Sequence, residues 1–286
     1  MARKRNSDRF AAPTPQDTSP PVPTADQSPQ GMFSFVTPTE FVDLPSEGRY
    51  YSEGHPLAGV DTIEIRHMTA KEEDILTSES LLKKGIAIDR LLESVIVDKN
   101  IKVSSLLIGD KNALLIASRI TGFGPLYDTT VKCPLCTETN DKIFNLDELA
   151  ANDVSEPPEY VTIKENGNFT FELPRSKVTV EVRLLTAHDE HILSQDAQKK
   201  KRLKLPDSRS TDLLKLVIVS INDHADAGDL HKFIDNMPLR DVKFLRKTYE
   251  QVKPDINITC DFICSHCSHA GEVVMPLTAQ FFWPNA

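Results

Sequence analysis

Glycine is scarce in this chain: 11 residues among 286, with no G-x-x-x-x-G-K-[ST], G-x-G-x-x-G or G-x-S-x-G pattern. Without a glycine-rich turn opening a helix there is no ready cradle for phosphate, and without a nucleophile elbow there is no signature of an acyl-transfer serine. GFGP (Gly122–Pro125) is expected to be a turn before a strand rather than a phosphate loop. Long apolar runs are also missing. The longest, LLKLVIVSI (Leu213–Ile221), is broken by Lys215 and falls far short of the roughly 20 residues that span a bilayer. No membrane partner is therefore expected. MARKRNSDRF at the start is basic, but no apolar stretch follows it, so it does not read as a secretory signal. Positive charge is in deficit as well: 33 Lys and Arg against 42 Asp and Glu leave a formal net charge of −9, which opposes broad capture of nucleic acid. The basic run Lys199–Lys204 lacks interleaved aromatics and reads as solvated loop. The carboxylates form no paired constellation, and His188 and His191, three apart, face Lys71 and Asp74 at the matched positions elsewhere in the chain. No enzyme is expected.

What is present is organised around cysteine. Four of the five cysteines fall into two C-x-x-C pairs, Cys133/Cys136 in VKCPLCTETN and Cys264/Cys267 in FICSHCSHA. This pattern fits a metal site in a reducing compartment better than a disulfide framework. A closed structural zinc site needs four ligands, and each pair supplies only two. Cys260 has no cysteine at its matched position, Thr129, and is assigned to a strand. His266 and His269 lie inside the second turn, but the four thiolates already complete a set.

The reason for two half-sites is visible in the rest of the chain, which is written twice. IEIRHMTAKEEDILT (Ile63–Thr77) matches VEVRLLTAHDEHILS (Val180–Ser194), with identities that include Glu64/Glu181, Arg66/Arg183, Thr69/Thr186 and Glu73/Glu190. FVDLPSEG (Phe41–Gly48) is set against YVTIKENG (Tyr160–Gly167), and LLESVIV (Leu91–Val97) against LLKLVIV (Leu213–Val219). Each copy reads as a hairpin, then helices, the second of them carrying LLESVIV or LLKLVIV, then a cysteine turn between strands. Period-two alternation gives the strands in DTIEIRH and KVTVEVRL. Thr69 and Thr186 are candidate helix caps, each with an acidic residue three positions on, Glu72 and Asp189. KKKRLKLPDSRS (Lys199–Ser210) reads as an inserted surface loop.

The expected fold class is thus α+β, an internally duplicated module whose two copies share a split zinc ribbon held by Cys133, Cys136, Cys264 and Cys267. The expected organisation is a disordered, proline-rich arm over 1–35, a first module over 36–150 and a second over 151–286. The terminal QFFWPNA crowds Phe281, Phe282 and Trp283 together and is expected to dock on the core.

PTEFVDLPSEGRYYSEGHPL (Pro38–Leu57), MTAKEEDILTS (Met68–Ser78), LLKKGIAIDRLLESVIVD (Leu81–Asp98), the C-x-x-C pairs and the terminal FFWP together resemble the baseplate hub proteins of T-even-type contractile-tailed bacteriophages. The likeness runs from about residue 36 to the end. It implies a non-enzymatic tail-baseplate protein that is assembled in the host cytoplasm and contacts other hub and tail proteins. Two competing readings are a zinc-ribbon nucleic-acid-binding regulator and an assembly chaperone that leaves before the virion matures.

Overall fold

A computed structural model describes residues 37–152, 154, 157–206, 208–277 and 281–282; the arm over 1–35 and Trp283 lie outside them. Strand β1 (Thr39–Asp43) pairs antiparallel with β2 (Thr62–Arg66), and the alternation along β2 turns Ile63 and Ile65 into the core. Helices α1 (Ala70–Thr77), α2 (Glu79–Lys84) and α3 (Ala87–Val95) follow, with α2 ending on Gly85 in the left-handed region. Leu91, Leu92 and Val95 on one side of α3 are fully buried. The longer α4 (Ile108–Phe123) leads into the hairpin of β3 (Leu126–Lys132) and β4 (Thr139–Asn145).

The chain then builds a four-stranded antiparallel sheet in the order β5 (Thr162–Ile163), β6 (Phe169–Glu172), β7 (Thr179–Val182) and β8 (Ile218–Ile221). Between β7 and β8 lie α5 (Ala187–Arg202) and α6 (Arg209–Val217). After β8 come α7 (Ala227–Asp235), α8 (Leu239–Val252) and a last hairpin of β9 (Thr259–Ile263) and β10 (Ala270–Val274). Mixed helices and small antiparallel sheets make this an α+β fold.

One polar constellation occurs at both helix entries. Arg66 forks onto Glu72 (3.1 and 2.5 Å), whose Oε2 also accepts the Thr69 N–H at 2.9 Å and hydroxyl at 2.8 Å. Arg183 forks onto Asp189 (2.8 and 2.7 Å), whose Oδ2 accepts the Thr186 N–H and hydroxyl, both at 2.9 Å. A second pair of carboxylates recurs in the first turns of α4 and α8. Asp110 accepts from the Ser46 N–H and hydroxyl and from the Tyr51 hydroxyl, while Asp241 accepts from the N–H groups of Arg175 and Ser176. Both are completely buried, and each pins the turn after a Leu-Pro pair, Leu44–Pro45 or Leu173–Pro174.

Packing does not follow chain order. One core joins residues of β2, α3 and α4 with Tyr127, Phe144, Phe262, Val273, Phe281 and Phe282. The other gathers Val161 through Val252 and takes in Leu107. The β9–β10 hairpin and the docked Phe281–Phe282 thus complete the core of the first half. The Arg119 guanidinium donates to Phe281 O at 3.1 Å, and the Phe281 ring meets Tyr127 edge-on at 4.9 Å. Further ties between the halves run from Ile108 N–H to Leu185 O, from Ala187 N–H to Leu106 O, and from Asn257 N–H to Ala150 O.

Four expectations need correcting. The segment that pairs with β7 as β1 pairs with β2 is Phe169–Glu172, not Tyr160–Gly167, which supplies only β5 and the turn ending at Gly167. LLKLVIV is not wholly helical: α6 stops at Val217, because the β-branched Ile218–Ile221 run pairs with β7. Lys199–Arg202 are the last turn of α5 rather than loop, as suits basic residues at a helix C-terminus. Gly122 and Phe123 belong to α4, so the turn reduces to Gly124 and Pro125. In addition, where α7 stands ahead of α8, the first half has only the 3-10 turn Val103–Ser105 ahead of α4.

Candidate metal centre

Each cysteine turn is built by the ladder that carries it. β3 delivers Cys133 and β9 delivers Cys264 into matching tight turns. In the first, the Cys133 N–H bonds Glu138 O and the Thr137 N–H bonds Cys133 O, both at 2.9 Å. In the second, the Cys264 N–H bonds His269 O at 2.9 Å and the Ser268 N–H bonds Cys264 O at 3.0 Å. Thr137 (φ 63°) and Ser268 (φ 56°) occupy the left-handed position that zinc knuckles usually give to glycine, so both carry local strain. The turn geometry survives without glycine because four hydrogen bonds fix it.

Inward side chains of the hairpins (Tyr127, Val131, Phe144, Phe262, Val273) pack together beneath the turns and hold them face to face. Asn140 latches them: its Oδ1 accepts both the N–H and the hydroxyl of Ser265 at 2.8 Å. Lys142, just beyond in β4, donates to Asp261 O at 2.9 Å. As a result Cys133, Cys136, Cys264 and Cys267 converge, with all four Sγ atoms within 4.8 Å of one another. Cys133 lies 3.7 Å from Cys267, and Cys136 lies 3.6 Å from Cys264. Four thiolates at zinc–sulfur distances of about 2.3 Å form a tetrahedron with edges of about 3.8 Å, so the measured spacings suit a tetrahedral ion. No disulfide joins the cysteines.

The thiols differ in how readily they ionise. Burial raises Cys264, but the Cys267 and His266 N–H groups and the neighbouring thiols outweigh it and bring it down to about 6. Burial also opposes ionisation of Cys133, and the Cys136 and Leu135 N–H groups reverse that, leaving it lowered. At Cys136 the Glu138 N–H favours the thiolate, yet burial and three adjacent thiols push it up to about 12. Four sulfurs this close cannot all carry charge without a cation, and binding one must release protons.

Among the described residues this is the one group of three or more metal-type side chains. His188 and His191 belong to α5, where the His191 Nε2 meets the Gln195 amide at 2.7 Å, and they gather no further ligand. Cys260 packs in β9 against the first core. His266 and His269 contribute backbone groups to the second turn. The buried carboxylates Asp110 and Asp241 went unread in the sequence. Their signal was available, since each stands third in its helix and they are spaced as Cys133 and Cys264 are.

A family model described as T4 bacteriophage base plate protein matches residues 37–283. Neither the curated proteins nor the solved structures compared with the chain give a match.

Proposed function

Because the chain belongs to the T4 bacteriophage base plate protein family, we propose that it is a non-enzymatic structural or assembly part of the baseplate hub, built from two related modules clamped by one zinc ion. The observation that carries this reading is the sulfur cluster, to which each module contributes one hairpin. Cys133, Cys136, Cys264 and Cys267 would hold the ion, and a set of four thiolates leaves no position for water or substrate. A bound ion would supply cross-linking rather than chemistry, since the two cysteine turns that would hold it join the last hairpin to β3–β4 and so the first core to the chain that builds the second. The recurrence of the Arg–carboxylate–Thr entry and of the buried helix-start aspartates supports a duplicated module over 36–150 and 151–286. A duplicated, clamped body suits a part whose work is done by its surfaces, against neighbouring hub and tail proteins.

Elemental analysis of protein purified under reducing conditions tests the clamp; one zinc per chain is expected, and a metal-free folded protein overturns it. Mass spectrometry of purified particles tests the role. Stoichiometric presence is expected of a permanent subunit, and absence transfers the protein to transient assembly duty.

A further inference from the structure

The second half has a four-stranded sheet and the first a two-stranded one, which the Ile65–Ile96 bridge extends beyond β2, so the strand left without a counterpart is β5. In the second half β6 is flanked on both sides, by β7 and by β5. In the first half β1 has β2 on one side and, among the described residues, no strand on the other. The Pro38 carbonyl and the Leu44 N–H bond toward β2, so by antiparallel alternation Glu40 and Val42 also point there. The main-chain groups of Thr39, Phe41 and Asp43 therefore face outward, unpaired among the described residues.

The side chains on this face differ in the way an open and an occupied edge should differ. In the second half Thr170, Glu181 and Ser220 lie across neighbouring strands. Glu181 is held by Lys164 Nζ at 2.6 Å and Asn168 at 2.6 Å, both supplied by the segment that forms and follows β5. In the first half the corresponding positions are Phe41, which is 70% exposed, then Glu64, and Val97, which is 41% exposed and bonds Glu64 O through its N–H. The Glu64 carboxylate has no hydrogen-bond or ionic partner among the described residues. An exposed edge with a large apolar side chain is a template for another strand, and proteins normally blunt such edges. Here a phenylalanine advertises it.

We propose that β1 is a strand-docking edge for an extended segment of a different protein chain, which supplies a lysine or arginine to Glu64 and an apolar side chain to Phe41. The occupant's charge follows from complementarity. Asp43 and Glu64 share the face of Phe41, and the nearby Arg66 is committed to Glu72. A second copy would bring the same carboxylates to the junction and repel. The β5 segment, with Lys164 on Glu181, is the internal template. This inference depends on the baseplate reading only for where the partner is to be sought.

The test places a photo-crosslinking amino acid at position 41 of the full chain, with the same residue at Thr170 as control. Infected cells and purified particles are irradiated, and the adducts are mapped by mass spectrometry. The expected result is an adduct at 41 with one other protein, through a segment bearing Lys or Arg, and none at 170. A Glu64→Lys change in the crosslinking chain should abolish the adduct while its melting temperature stays unchanged. Adducts with a second copy, with residues 1–36 of the same chain, or with nothing would each overturn the proposal. Because the presence of the protein in particles is read separately, failure of the edge and failure of the baseplate role are distinguishable.

Discussion

The helix entries at Thr69 and Thr186 use one design with unequal stakes. In the first half the acceptor is Glu72, whose side chain is completely buried, and Arg66 also reaches Ser94 Oγ at 2.9 Å and Ser94 O at 3.2 Å. In the second the acceptor is the shorter Asp189, still 7% exposed, and Arg183 serves it with only one carbonyl besides. The longer carboxylate sits deeper and gathers more partners, so the first half has more to lose when the cluster is disturbed. The second half spends its equivalent polarity on the sheet face, where Glu181 binds Lys164, Asn166 and Asn168. A shared hydrogen-bond pattern therefore does not mean shared energetics: the entry cluster is a core element at Glu72 and lies nearer the surface at Asp189.

The largest effect should come from the element the halves hold in common. Cys264→Ser, or prolonged chelation of wild type, is expected to unfold the protein at ordinary temperatures. Metal binding of this type contributes about 10 kcal/mol or more, comparable with the whole stability of a domain of about 5–15 kcal/mol. Calorimetry with parallel zinc determination checks it, and an unchanged melting temperature in the metal-free variant removes the clamp. Next in size are Arg66→Ala and Arg183→Ala. Urea melts should show losses of about 3 and about 2 kcal/mol, the first larger because it strands a fully buried carboxylate. An equal or reversed order would break the comparison drawn above.

Acid sharpens the same contrast. Burial raises Glu72, but Arg66, Ser94 and Thr69 outweigh it and hold it at about 2; burial likewise opposes Asn168, Lys164 and Asn166, which hold Glu181 at about 2. A carboxylate whose folded pKa is depressed binds fewer protons than in the unfolded chain. Its stabilisation is full above the unfolded value near 4.3 and disappears as pH falls toward about 2. Stability measured from pH 5 to pH 2 should decline through that window, and Glu72→Gln and Glu181→Gln should each flatten the decline.

The turns after the Leu-Pro pairs offer a smaller test. Gly48 (φ 69°) and Lys177 (φ 56°) are both left-handed, but a Cβ on Gly48 would lie 2.4–2.6 Å from backbone atoms of Val60 and Leu57. Gly48→Ala should cost about 2–4 kcal/mol, from left-handed strain plus overpacking. Lys177→Gly should change stability by less than about 1 kcal/mol, since strain relief offsets the entropy that glycine gains when unfolded. Smallest of all, Thr137→Gly should raise the melting temperature slightly more than Ser268→Gly, because the β-branched residue is the more strained in that conformation.

Much of this was legible in the sequence because the signals are local. The alternation in TIEIR and TVEV, the Thr–acid spacing at the caps and the C-x-x-C turns each need only a few neighbouring residues. Losses came where partners at long range decide. LLKLVIV reads as one apolar helix until β7 claims Ile218–Ile221. The letters of YVTIKENG resemble those of FVDLPSEG, but pairing, which letters do not carry, assigns that role to Phe169–Glu172. The convergence of the cysteines was inferable from counting ligands. The Asn140–Ser265 latch that orients them was not, since nothing in either residue's neighbourhood names the other.

The first core is closed by Phe262, Val273, Phe281 and Phe282, all translated long after the strands and helices they cover. A ribosome making this protein therefore exposes an unfinished apolar surface throughout synthesis of the second half, beyond the stage at which a first domain usually folds. Nascent chains stopped before residue 262 should stay protease-sensitive from β1 onward. The first core can close only after the β9–β10 hairpin and Phe281–Phe282 have been made.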